Sequence, residues 1–125
     1  MYAIRYDPGE RILHLKLEGF WTAATLARFV AELMVRTTQL RMRRERFGVL
    51  SDSSRFAIQS PLVSQGFERI MAKGAETHRG PTAVVVAGVL NKLQAERTLK
   101  GERVCVFLDP AEARGWLAAE LLADA

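Results

Sequence analysis

The run Ser51-Asp52-Ser53-Ser54 gathers the side chains best suited to hold a polar group. It follows the apolar stretch Phe47-Gly48-Val49-Leu50 and so falls at the carboxyl end of a strand. Ligands of open α/β sheets collect outside those ends. Phe20, Trp21, Ala87, Gly88 and Asp109 fall at the same edge. There the hydroxyls and carboxylates could grip a polar group while the aromatics line a wall. Ser53 and Ser54 read equally as loop residues, and Asp109 as a helix cap. Phe20-Trp21 is the sharper signal. Two adjacent large aromatics at a strand-to-helix corner cannot easily both face the core. One covers the sheet edge, and the other is left for an apolar ligand, a lipid or a partner.

Hydrolytic chemistry needs a nucleophile, a base and an orienting group. The chain has two histidines, and neither stands in a motif. His14 is mid-strand on a polar face, and His78 closes a helix. No Gly-x-Ser-x-Gly occurs, and no carboxylates lie at metal-ligand spacing from either histidine. Gly88 alone is no phosphate loop. Asp52 at a strand end suggests a receiver-domain phosphoacceptor. That chemistry needs an acidic pair after an earlier strand and a lysine after the last, where Gly19-Phe20 and Asp109-Pro110 stand. The single cysteine, Cys105, sits in an apolar run and is expected to be a buried strand residue. The sequence therefore predicts a binding or interaction module with no cofactor and no metal. An enzyme with an unfamiliar site at the strand ends is the less favoured reading.

Charge offers a second surface. The 125 residues carry a net charge of +4. Arg36, Arg41, Arg43, Arg44 and Arg46 crowd one helix end. They read as a solvated complement to the helix dipole, or as a contact for nucleic acid or an anionic membrane. Few exposed aromatics are available for base stacking, which counts against nucleic acid. No window approaches the roughly 20 apolar residues of a membrane span. The N-terminus lacks a signal peptide's apolar stretch, so a cytoplasmic protein is expected.

The elements that position these residues follow from periodicity. Tyr2–Tyr6 and Arg11–Gly19 form an antiparallel hairpin across Asp7-Pro8-Gly9-Glu10, with glycine expected at positive φ. Thr22 caps a helix to about Arg44, with Leu26, Phe29, Val30, Leu33, Met34 and Leu40 inward. Phe47–Ser51 is a buried strand, and Asp52–Gln59 a loop. Ser60 caps a second helix, which Pro61 opens and which runs to about His78. Thr82–Ala87 is a strand. A third helix spans Val89–Lys100, with Val89, Leu93 and Leu99 aligned and Gly101 closing it. Val104–Leu108 is the last strand. Asp109-Pro110-Ala111-Glu112 opens a final helix with Ala113, Trp116, Leu117 and Leu121 inward. The order is β-β-α-β-α-β-α-β-α. It implies one α/β domain over residues 1–125, with a mainly parallel five-stranded sheet and an antiparallel N-terminal hairpin.

Several segments carry a family likeness in their order and spacing. Glu18-Gly19 ends the hairpin before Thr22, and Val49-Leu50-Ser51-Asp52 follows. Then come Gly80-Pro81-Thr82-Ala83-Val84-Val85, Val106-Phe107-Leu108-Asp109, Glu112-Ala113 and Trp116-Leu117. The chain resembles the STAS fold of anti-sigma-factor antagonists and sulfate-transporter tails. More specifically it is similar to the SpoIIAA-like family of uncharacterised bacterial proteins. The resemblance implies a module that binds a protein partner or a small apolar or anionic ligand, with self-association an added option. STAS antagonists are phosphorylated within Asp-Ser-Ser-Gly at the start of the second helix. Here that place reads Gln59-Ser60-Pro61-Leu62, so only Ser60 could accept a phosphate, and a cap is needed there anyway.

Overall fold

In the computed structural model, which describes residues 1–98 and 103–124, the first two strands are β1 (Tyr2–Asp7) and β2 (Ile12–Gly19). They pair antiparallel from Tyr2↔Leu17 to Asp7↔Ile12. The Asp7 carboxylate accepts from the amides of Gly9 (2.9 Å) and Glu10 (3.1 Å). With those amides held, the reversal into β2 falls on Arg11, whose φ is 59°. The positive φ expected at Gly9 is thus moved two residues on, to a side chain that bears a cost of roughly 1 kcal/mol there.

Helix α1 spans Ala23–Met42, and the Thr22 hydroxyl accepts from the Thr25 amide. It stops two residues short of Arg44 because Arg44 turns left-handed, with φ 56°. The Arg44 amide donates to Arg41 O (2.9 Å) and the Glu45 amide to Leu40 O (3.0 Å). That is a Schellman closure with arginine where glycine is usual. Three more strands, β3 (Gly48–Phe56), β4 (Thr82–Val85) and β5 (Val104–Phe107), alternate with α2 (Pro61–Thr77), α3 (Val89–Thr98) and α4 (Pro110–Ala123). The sheet order is β1-β2-β3-β4-β5, with every pairing after the hairpin parallel. This is the expected α/β architecture.

One sheet face packs Leu13, Leu15 and Leu17 against Phe29 and Leu40 of α1 and Val63 of α2. On that face Val84 and Val106 meet Ala95 of α3. The other face packs Ile12, Leu50, Ala83 and Val85 against Ala113, Leu117 and Leu121 of α4 alone. Three helices therefore cover one face and one helix the other.

Two elements depart from the sequence expectation. Strand β3 continues to Phe56, so Asp52–Phe56 is strand rather than loop. The eight-residue β2 supplies the partners: Lys16↔Asp52, then Glu18↔Arg55 and Gly19↔Phe56 after a register shift. Cross-strand pairing overrides the poor strand propensity of serine. Helix α3 does not bury its apolar stripe, since Val89 and Leu93 are exposed; it leans on the sheet through Ala95. Met34 is also exposed, against expectation. Leu99, Lys100 and Gly101 lie outside the described residues.

Candidate functional site

Strand alternation divides the polar run at the carboxyl edge. Ser51 is buried, pairs in register with Val84 and lies with Ser53, the two hydroxyls 3.4 Å apart. Asp52 faces the α4 side, beside Lys16 in the ladder. Its Oδ1 accepts from the Ser54 amide (3.1 Å) and hydroxyl (2.6 Å). Two residues of β3, Ser53 and Ser54, stand opposite one of β2, Leu17, which is a β-bulge. Asp52 and Ser54 thus stabilise that bulge, and the four residues do not converge on one point.

The aromatic pair also divides. Trp21 is 1% exposed and its ring lies 4.9 Å from Phe56, 5.1 Å from Phe29 and 5.8 Å from Tyr2. Its Nε1 donates to Glu18 O at 3.0 Å. The expectation that Trp21 belongs to a ligand or partner site is corrected: it is the centre of the core. Phe20, 65% exposed, is the residue left outside.

Ser60 caps α2, its hydroxyl accepting from the Val63 amide at 3.4 Å. Gln59 just before it ties two loops together. Its Nε2 donates to Gly19 O (2.9 Å) and Ala57 O (2.6 Å), and its Oε1 accepts from the Trp21 amide (2.7 Å). Sequence reasoning noted Gln59 only as a lost acidic residue. Gln59→Glu should destabilise by about 1–2 kcal/mol, because a carboxylate cannot donate and would face two carbonyl oxygens. The loss should shrink as the glutamate is protonated, measured as the urea midpoint against pH. A pH-independent midpoint difference would refute the latch.

A larger feature escaped the sequence reading. Phe20, Ile58, Leu62, Val89, Leu90 and Leu108 are all large, apolar and exposed. Each follows the carboxyl end of a parallel strand or sits in the first turn of the next helix. They form a rim around one end of the sheet. Their signal was available: apolar residues in the turns after parallel strands, where no core remains to receive them.

Two hollows lie elsewhere. One of about 360 Å³ opens on the α4 face between Arg5, His14, Lys16, Asp52 and Arg114. Most of its basic side chains are already engaged: Arg5 with Asp7 (3.8 Å), Lys16 with Glu18 (3.3 Å), and the His14 ring hydrogen-bonded to Glu10 (3.1 Å). The other, about 580 Å³, opens at the amino ends of the strands beside His78. The His78 ring lies 4.7 Å from that of Phe47. Burial, and then Arg41 and Arg103, hold its pKa below 6.5 against the pull of the Pro81 carbonyl. As pH falls the unfolded chain takes up this proton first. The stability that neutral His78 contributes is therefore full above pH 6.5 and lost as pH drops through the lower folded value. His78→Phe should flatten the urea midpoint across that window; an unchanged profile would count against it. Asp7, lowered mainly by the Glu10 amide, acts only below 3.8.

Among the described residues no three metal-ligating side chains gather, and no helix is long and apolar enough to cross a membrane. Cys105 is half-buried in β5 rather than fully enclosed.

The fold defines a class, an α/β module with one mainly parallel sheet, three helices on one face and one on the other. No family model and no curated protein matches the sequence. Among solved structures the chain is similar to an uncharacterised protein of the DUF3478 family from Shewanella loihica PV-4, which has a SpoIIAA-like fold. The TM-score is 0.71 at 18% identity, covering 94% of this chain and 92% of that one. The chain thus has the SpoIIAA-like fold that the sequence resemblance implied.

Proposed function

We propose that the chain is a non-catalytic STAS-type module that binds a protein partner through its strand-carboxyl rim. The observation that carries this reading is the convergence of six exposed apolar side chains at one end of the sheet. Burying them is worth roughly 25 cal/mol per Å² of apolar surface removed from water. A protein suits this rim better than a small apolar ligand. None of the six lines either hollow; they stand in turns and first helical turns as an open apolar surface, the kind a partner protein covers. Helix α3, with its apolar side outward, extends the same surface. The Asp52 and Ser54 groups serve the bulge and take no part.

The test is site-specific photo-crosslinking in the native host from position 58 or 90, with position 36 on α1 as control. A discrete adduct from the rim positions, suppressed by Phe20→Ser, is expected. Equal labelling from position 36, or no rim adduct from folded protein, overturns the reading. An adduct of twice the chain's mass would identify the partner as a second copy.

A further inference from the structure

We propose that the groove at the amino ends of the strands binds a compact, phosphate-bearing anion. It lies at the opposite end of the sheet from the rim and is independent of it. Among the described residues, Arg41, Arg44, Arg46, Arg79 and Arg103 line it against two carboxylates, Glu45 and Asp124. These arginines come from the end of α1, the loop after it, the turn before β4 and the approach to β5. Folding therefore assembles a charge density that no single segment carries.

The bland account is that arginines answer the negative ends of helices. Helices α1, α2 and α4 all end here, each presenting roughly half a negative charge. That account uses only part of the set. Arg103 pairs with Asp124 (2.8 Å) and Glu120 (3.6 Å). Arg46 donates to the Asp124 carbonyl, at the cap of α4. Glu45 is engaged by the Tyr6 hydroxyl. Among the described residues, the Arg41 guanidinium reaches only the Thr38 hydroxyl, at 3.5 Å. Arg44 and Arg79 have no ion-pair partner among the described residues. Among the described residues, three guanidinium groups thus remain without a carboxylate partner around a groove of about 580 Å³.

The chemistry of the ligand follows from theirs. Planar guanidinium forks match phosphate oxygens two at a time. The recess favours a compact anion over a nucleic-acid strand, because its arginines surround a hollow and Arg36 and Arg43, farther along the run, do not line it. Arg44 holds its place at a left-handed φ of 56°, where glycine would be less strained.

The probe is inorganic pyrophosphate, titrated calorimetrically at constant ionic strength with sulfate as control. Arg44→Gly removes a guanidinium while relieving backbone strain, so it cannot fail by unfolding the helix end. Arg44→Gly and Arg79→Gln should each weaken binding roughly 10-fold or more, the effect of losing a charged hydrogen bond. Arg36→Gln should leave it unchanged. A second arm uses phosphatidylcholine vesicles with and without phosphatidic acid. Arginine-dependent binding only to the phosphatidic acid vesicles would identify the phosphate as a lipid headgroup. No binding in either arm, binding matched by sulfate, or binding indifferent to Arg44→Gly and Arg79→Gln overturns the proposal.

Discussion

Trp21→Ala is expected to cost about 3–5 kcal/mol, the range for emptying a buried large aromatic site. Domains of this size have about 5–15 kcal/mol in total, so the variant will be marginal or unfolded. The side chain is 1% exposed and meets Tyr2, Phe29, Phe56 and Phe67 from four different elements. Alanine leaves a void that β1, α1, β3 and α2 would all have to close. It also takes the indole donor from the Glu18 carbonyl, leaving that oxygen only the N-terminal ammonium at 3.0 Å. Phe20→Ala, one residue earlier, should change stability by less than about 0.5 kcal/mol, since its ring faces water. Urea denaturation followed by far-ultraviolet circular dichroism measures both. Near-equal losses for the two variants would refute the division of the pair.

Gly80→Ala should cost about 3 kcal/mol or more, for the opposite reason. A Cβ at Gly80 would lie 2.1 Å from the Phe47 carbonyl oxygen and 2.9 Å from His78 Cε1. The first neighbour is backbone and cannot swing aside. The same segment starts two strand pairings, with Val49 N donating to Pro81 O (2.9 Å) and Thr82 N to Arg103 O (2.8 Å). Displacing it disturbs β3, β4 and β5 together. Gly74→Ala is the control. Nothing lies within 4 Å of a Cβ there, and the site is inside α2, so alanine should stabilise by up to about 1 kcal/mol. The two substitutions should move the melting temperature in opposite directions. A mild effect at Gly80 would mean that the Phe47 contact can relax.

These two positions also mark what the sequence could and could not reveal. Periodicity predicted every element, because an apolar helix stripe or strand face, covered or not, leaves a repeat in the chain. Leu13, Leu15 and Leu17 alternate as read, and Ala113, Leu117 and Leu121 fall inward as read. The caps at Thr22, Ser60 and Asp109 were legible because capping is a local interaction. The site was less legible. Phe20-Trp21 announced one residue in and one out, but nothing local said which. The answer depends on Phe56 and Phe67, far along the chain. Asp52–Phe56 read as loop because serines favour loops, whereas the deciding factor was the second edge of β2, which runs on to Gly19 and pairs with them. Val89 and Leu93 read as a core stripe because periodicity reports that a face is apolar, not that anything covers it. The arginine groove was half visible. Arg41, Arg44 and Arg46 stood out as a run, but Arg79 and Arg103 join them only in three dimensions.

The strands stand in the sheet in the order in which they occur in the chain. During synthesis each strand after the first emerges to find its partner already made. Each parallel pairing closes a loop of about one helix, and loop-closure entropy grows only slowly with length. Such a sheet can grow vectorially, one strand at a time, without waiting for a distant segment. The vulnerable moment comes last. Ile12, Leu50, Ala83 and Val85 are covered by α4 alone, so that face stays bare until the final helix leaves the ribosome. A nascent chain stalled before Pro110 would present an almost complete sheet with one sticky side, and that is where a chaperone would have work to do.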